Sequence, residues 1–181
     1  MRVLLDACVL YPTVLRELVI GLASTGYFTP LWSDRILEEW RRAAVRQSDR
    51  DGVIAEGEIA TLKAQFPHAI VATQSDTEDR LYLPDPDDVH VLAAAIDGKA
   101  EALMTLNLKD FPTNALAAEG IVRRDPDGFL FEAFHEDQAA MRSMAEATLD
   151  RAGRYGVDVS NPRALLKKAR LPRLGKALYS N

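Results

Sequence analysis

The sequence predicts an α/β fold in which helices flank a parallel sheet. The first observation is the run Val3–Leu5, which is wholly apolar and therefore resembles a parallel strand that is covered on both faces. The second is that strand-like runs alternate along the chain with segments whose apolar residues repeat at helical spacing. The third is that strand-like runs stop after Gly128, so we expect no strand beyond it.

Start and stop signals define the elements of the first half. Pro12 suits the first turn of a helix, and Gly26 marks its expected end. Ser33 is the expected N-cap of a second helix that ends near Gln47. The further predicted elements are a polar turn at 48–52, a helix over 53–66, a strand over 69–72 and a loop over 76–86.

The second half completes the alternation and then becomes wholly helical. Its predicted elements are a helix over 88–97, a strand over 102–105, a short helix over 113–118, a strand over 120–123, and helices over 129–152 and 162–170. We therefore divide the sequence into an α/β domain over residues 1–125 and a helical C-terminal extension over residues 126–181.

Composition limits the class of protein to which the chain can belong. With 48% hydrophobic and 27% charged residues among 181, a packed core is expected and wholesale disorder is excluded. Cys8 is the only cysteine, so no intrachain disulfide can form, and we expect it to be a small buried apolar residue. Asp6 comes too early for a signal peptide, and no apolar stretch is long enough to cross a membrane. We therefore expect a soluble, cytoplasmic protein.

Charge is unevenly distributed along the chain. From Arg151 onward there are eight Lys or Arg residues and a single acid, Asp158, so this segment carries +7; because the whole chain carries −5, the rest carries −12. Such asymmetry fits either a basic surface that binds a polyanion or a solvated helix face. The sequence alone leaves both interpretations open.

Polar side chains follow two of the predicted strands. Asp6 closes the first strand, while Asn107 and Asp110 come just after the strand over 102–105. Ligands of parallel sheets bind outside the carboxyl ends of the strands. If the two strands are neighbours, Asp6 and Asn107 project toward the same edge of the sheet.

Helix periodicity selects between two adjacent glutamates. Ile36, Leu37 and Trp40 define the apolar face of their helix, and at 100° per residue Glu39 flanks that face. Glu38 is predicted to point nearly opposite, into solvent. Glu39 is therefore the better candidate for a ligand.

The same periodicity places Asp88 on the inward face of the helix over 88–97. His90 is predicted to point outward. An inward carboxylate at a helix start needs a partner or a cation, although Asp88 could equally cap the helix and complement its dipole. Both roles remain open for this residue.

These residues together predict a site for a divalent cation. Carboxylates are costly to desolvate unless they are paired or bind a cation. Oxygen ligands suit Mg²⁺ or Mn²⁺, whereas one cysteine and three scattered histidines are a poor ligand set for zinc.

Four segments resemble the motifs of a known family. LLDACVLYP contains Asp6, SDRILEEW contains Glu39, DPDDVHVLAAAI contains Asp88, and TLNLKDFP contains Asn107 and Asp110. In order and spacing they resemble the PIN-domain ribonucleases, which include VapC-like toxins of type II toxin–antitoxin systems. The likeness spans about residues 1–124, and it departs from the family at Asn107, where many relatives have an acid.

The resemblance implies a fold, a chemistry and partners. The fold would be a three-layer α/β/α PIN domain, and the activity would be cleavage of RNA assisted by Mg²⁺ or Mn²⁺. It implies an antitoxin partner and a homodimer. It implies metal ligation by Asp6, Glu39, Asp88 and Asp110, with Asn107 completing the catalytic set.

Two other classes of function stay open. In a phosphatase or phosphoacceptor domain Asp6 would be the nucleophile. Haloacid-dehalogenase-like phosphatases have a second Asp two positions after the nucleophile, where this chain has Cys8, so the resemblance to them is poor. A non-catalytic module could also retain the fold. The presence of Asp6, Glu39 and Asp88 favours an enzyme.

Overall fold

A four-stranded parallel sheet forms the centre of the first half of the protein. In the computed structural model, which describes residues 1–179, the strand order is β2-β1-β3-β4. The strands are β1 (Arg2–Leu5), β2 (Thr29–Leu31), β3 (Ala102–Met104) and β4 (Val122–Arg124). Leu5 of β1 lies in register with Met104 of β3. The predicted α/β class, a parallel sheet flanked by helices in three layers, is confirmed.

Eleven α-helices lie within the described residues, together with a 3₁₀ turn at Pro86–Asp88. They are α1 (Ala7–Leu10), α2 (Thr13–Ser24), α3 (Asp34–Val45), α4 (Asp49–Gln65), α5 (Ser75–Asp79), α6 (Val89–Asp97), α7 (Thr113–Ala118), α8 (Pro126–Glu136), α9 (Gln138–Arg154), α10 (Pro162–Lys168) and α11 (Pro172–Tyr179). None of these helices is long and apolar enough to cross a membrane.

The chain forms two compact units. The first unit contains residues 1–11 and 28–124, and therefore the whole sheet. The second contains residues 12–27 and the described residues from 125 onward. In the second unit α2 packs on α8 and α9, and Gly21 lies so near Met144 that an added Cβ would be 3.1 Å from its sulfur. The predicted division of the sequence at residue 125 stays a prediction.

The predicted strand over 69–72 is wrong. Ile70 makes only an isolated bridge to Trp32, and the strand beside β1 is the short segment Thr29–Leu31. Its central Pro30 argues against a strand in the sequence. The structure accommodates it because β2 is an edge strand, where a missing N–H donor is tolerated.

Helix boundaries differ from the prediction at two polar positions. The predicted turn at 48–52 is wrong, because Ser48 accepts a hydrogen bond from the Asp51 N–H at 3.0 Å and starts α4. The single helix predicted over 129–152 is instead two helices that meet at Asp137. Two short helices were not predicted: α5, which overlaps the predicted loop, and α11. The predicted Ser33 cap of α3 is confirmed.

Candidate metal centre

Asp6 is buried and directly follows the carboxyl end of β1, which is an inner strand of the sheet. Its backbone N–H donates to the Met104 carbonyl at 3.1 Å, which fixes it beside the end of β3. Its side chain is 6% exposed. The carboxylate Oδ2 accepts hydrogen bonds from the Thr105 hydroxyl at 2.7 Å and from the Cys8 thiol at 3.1 Å. The two strands are therefore neighbours, as the shared-edge argument required.

Thr105 connects Asp6 to the loop that follows β3. Its hydroxyl donates to Asp6 and accepts from the Asn107 N–H at 2.9 Å, and its side chain is fully buried. The amide Nδ2 of Asn107 then donates to Asp88 Oδ2 at 3.1 Å. One chain of hydrogen bonds thus joins the ends of β1 and β3 to the start of α6.

Asp88 makes no hydrogen bond that caps α6, so the capping role left open by the sequence is not observed. Asp85 caps the preceding 3₁₀ turn, since its carboxylate accepts from the Asp87 N–H at 2.9 Å. Burial, and then the negative charges of four neighbouring carboxylates, together raise the pKa of Asp88 to about 6. Those neighbours are Asp6, Asp85, Asp110 and Glu39.

Asp85 is a site residue that the sequence argument missed. One carboxylate oxygen from each of Asp85, Asp88 and Asp110 lies within 4.8 Å of the other two. Asp85 is exposed and the other two are partly buried. The Asp-Pro-Asp-Asp run held the signal, because a turn brings its first and fourth residues to the same side.

The position of His90 contradicts the prediction that it points outward. It is 1% exposed, and its Nε2 lies 2.7 Å from Oε1 of Glu39, which is 38% exposed. The direction of this contact is poor for a hydrogen bond, and Nδ1 has no hydrogen-bond partner among the described residues. Arg35 also approaches Glu39, at 3.8 Å. Glu39 thus has one buried neighbour, His90, and one exposed neighbour, Arg35.

The predicted contrast in exposure between Glu38 and Glu39 is also wrong. Glu38 is 36% exposed, about as much as its neighbour. The two glutamates differ in their hydrogen bonds. Glu38 accepts hydrogen bonds from Arg41 and Arg42, each at 2.7 Å. These arginines, Arg41 first, hold the pKa of Glu38 down at about 2. The negative charge of Glu38 is thus balanced by two arginines of its own helix.

Glu39 can be reached from solvent. It lines an open groove of about 410 Å³ together with Arg35, Glu38, Arg42 and Asp87. The groove is lined by three carboxylates and two arginines, so it does not strongly attract an anion. A ligand that enters the groove nevertheless reaches Glu39, the glutamate that lies beside His90.

Cys8 is more than the small buried apolar residue that was expected. Its sulfur accepts a hydrogen bond from the Leu106 N–H at 3.2 Å and lies 3.4 Å from the Thr105 hydroxyl. Burial, followed by the charge of Asp6, raises the pKa of the thiol to about 12. Cys8 thus stays protonated and donates to Asp6.

The donor set fits a hard divalent cation. Asp6, Asp85, Asp88 and Asp110 offer carboxylate oxygens, which Mg²⁺ and Mn²⁺ prefer. Burial, followed by repulsion from the neighbouring acids, raises the pKa of Asp88, and a cation would relieve that repulsion. Glu39 adds its charge to the same group.

A comparison with protein families decides the classification. A family model described as the PIN domain matches residues 2–109. The chain belongs to the PIN-domain family. The resemblance predicted from four short motifs is thereby confirmed, and the matched range includes Asp6, Glu39, Asp88 and Asn107.

One curated relative of this PIN-domain protein is named putative ribonuclease VapC50, from Mycobacterium tuberculosis (strain ATCC 25618 / H37Rv). The two are 40% identical over 67 residues, which cover 35% of this chain and 40% of the relative. The chain thus spans less than half the length of the relative that it matches. No solved structure matches the chain.

Proposed function

We propose that this PIN domain is an endoribonuclease that hydrolyses RNA phosphodiester bonds with the help of Mg²⁺ or Mn²⁺. The convergence of acidic side chains on the partly buried Asp88 carries the proposal, since burial and then these neighbouring charges raise its pKa to about 6. Such a concentration of partly buried negative charge is costly without a cation. Membership of the PIN-domain family and the name of the relative support it.

Asp6, Asp88, Asp110 and Glu39 are the residues that would hold the cation, and Asp85 joins them as a new candidate. When bound, the cation would lower the pKa of an attacking water and neutralise charge that develops on the phosphate.

The other residues of the site orient these ligands. Thr105 and Cys8 both donate to the same oxygen of Asp6, Oδ2, and thereby fix the orientation of this carboxylate. Asn107 donates to Asp88 and thereby moderates its repulsion from the other acids. His90 restrains Glu39. Such supporting contacts are what hold metal ligands in place in proteins.

We extend the proposal to the partners of a type II toxin. The basic side chains of an antitoxin could pair with the carboxylates of this site and so block it. A homodimer and an antitoxin partner are both expected on this basis. Support comes from the resemblance of the four motifs to VapC-like toxins.

The direct test is cleavage of RNA by purified protein with Mg²⁺, with Mn²⁺ and with EDTA. We expect cleavage only with metal, and none from Asp6→Asn, because the amide removes a negative ligand. Asp150→Asn is the matched control, since Asp150 is exposed on α9 and the change in charge is identical. Cleavage that persists in EDTA or in Asp6→Asn would refute the proposal.

A further inference from the structure

Six cationic side chains lie exposed on the last two helices and the turn between them. We call this set the C-terminal basic surface. Its members are Arg163, Lys167, Lys168, Arg170, Arg173 and Lys176. No acidic residue occurs in the sequence after Asp158, so the positive charge is uninterrupted from there onward.

The cations of this surface have no acidic partner among residues 1–179. The guanidinium of Arg173 lies over the Phe131 ring, 4.7 Å from its centroid, and no ion pair involves the other five within that range. Many cations of the first unit are instead paired with acids. These are Arg35, Arg41, Arg42, Lys63 and Arg80.

This contrast bears on how the protein could attract RNA. The proposed metal centre is acidic and repels phosphate, and the nearby Arg41 and Arg42 are already occupied by Glu38. Binding of nucleic acid rests mainly on cations that neutralise phosphates and release counterions. The cations best placed to do so are those that are unpaired and gathered together, as they are on α10, α11 and the turn between them.

Arg170 supports the same conclusion from its backbone. It occupies a left-handed conformation with φ of 65° between α10 and α11, where glycine is the usual residue. A side chain with a Cβ is strained in this conformation. The turn therefore retains an arginine at a position where a glycine would be more stable.

We propose that the C-terminal basic surface binds the phosphate backbone of the RNA on which the PIN domain acts. The inference rests on the proposed function for the identity of the polyanion. The packing beneath the surface makes it a firm platform, because Leu166, Leu171 and Leu174 are fully buried and Gly175 lets α11 approach α10 closely.

The test measures the salt dependence of RNA binding in an Asp6→Asn background with EDTA, so that cleavage cannot interfere. The probe is a labelled single-stranded oligoribonucleotide. For Lys167→Gln, Lys168→Gln and Lys176→Gln combined, the slope of log K against log salt should fall in magnitude by about 2, and affinity at 0.1 M salt by about a hundredfold. Thermal melting checks that the variant is folded.

The matched control combines Arg2→Gln, Arg46→Gln and Arg50→Gln, three exposed cations of the first unit. It removes the same charge, and we expect a change in slope of less than about 1. Equal losses in the two triple variants would mean that only net charge matters, and they would overturn the proposal. Lost binding to polyglutamate with unchanged binding to RNA would assign the surface to an acidic protein and also overturn it.

Arg170→Gly adds a test that a purely structural role would not satisfy. We expect an unchanged or higher melting temperature together with weaker RNA binding. Unchanged RNA binding in this variant would contradict the part assigned to Arg170. The outcomes also separate this inference from the proposed function: if wild type cleaves RNA while the triple variant binds RNA normally, only the surface proposal fails. If wild type does not cleave RNA but the triple variant loses binding, only the nuclease proposal fails.

Discussion

At the scale of single residues, the site is a set of acids held by neutral donors. Asp6 receives two hydrogen bonds, from Thr105 and Cys8, and Asp88 receives one from Asn107. Each donor reduces repulsion without removing a negative charge, so the ligands stay available to a cation. Asp6 and Asp88 are thereby kept near one another by neutral donors.

Asp88 should make stability depend on pH in a way that metal reverses. Its pKa of about 6 in the folded protein exceeds the value of about 3.9 expected in the unfolded chain. The folded state therefore binds the proton more tightly, and this contribution to stability grows as pH falls from about 7 to about 4. Thermal melting in EDTA across this range measures it.

The variant Asp88→Asn separates this stability effect from function. We expect a higher melting temperature in EDTA at neutral pH, because the repulsion from Asp6 and Asp110 is removed. We also expect loss of the pH dependence, of stabilisation by Mg²⁺ and of RNA cleavage. A lower melting temperature in EDTA combined with a normal response to Mg²⁺ would contradict this view of Asp88.

His90 should act on metal affinity through Glu39. Because its ring is 2.7 Å from Glu39 Oε1, His90→Gln should weaken apparent Mn²⁺ affinity by about tenfold, and His90→Ala by up to about a hundredfold. Mn²⁺ titrations of cleavage at saturating RNA measure this. Arg35→Gln is the control, since exposed ion pairs contribute little. Equal Mn²⁺ affinity in wild type and both His90 variants would refute the role.

The ligand-bearing elements could be predicted from the sequence, but the side of α6 on which His90 lies could not. Periodicity locates a helix face only when the opposite face is polar. In α6 every residue from His90 to Ala95 is buried, so this helix has no solvent-exposed face to which periodicity could assign His90. The contact with Glu39 joins residues 51 positions apart, and no local pattern carries that information.

At the scale of elements, caps decide where helices begin and end. Ser33 was predicted correctly because serine precedes a strongly amphipathic segment. Asp137 was missed because the sequence on both sides of it has helical character. Its carboxylate accepts from the Ala140 N–H at 2.9 Å and starts α9, while its backbone ends α8.

Replacement of this cap should therefore affect stability and little else. We expect Asp137→Ala to lower the free energy of unfolding by about 1 kcal/mol, and Asp137→Asn to have a much smaller effect, because asparagine caps helices well. Urea unfolding of both variants measures the difference. Equal stability of the two would show that the cap bond contributes nothing.

At the scale of the whole molecule, acidic and basic charge are carried by different parts of the chain. The segment from Arg151 onward carries +7 and the rest −12. A cation bound at the carboxylates should therefore stabilise the protein as a whole. A Mg²⁺ or Mn²⁺ concentration of 100 times Kd should add about 2.7 kcal/mol to the free energy of unfolding.

Thermal melting with increasing Mg²⁺ or Mn²⁺ measures this stabilisation. Asp6→Asn should respond much less, and Asp150→Asn should respond like wild type because it lies on α9. A melting temperature that does not change with either metal in wild type would count against a metal site. Equal responses of wild type and Asp6→Asn would locate the site elsewhere.

The position of α2 in the chain has a consequence for biosynthesis. Residues 12–27 are synthesised long before the other helices of their unit, which follow residue 125. Leu15, Leu18 and Val19 are fully buried in the finished protein, but α8 and α9, on which α2 packs, are synthesised only after the whole sheet. The second unit can therefore form only after α8 and α9 have been made, and nascent chains that stop near Arg124 should be prone to aggregation.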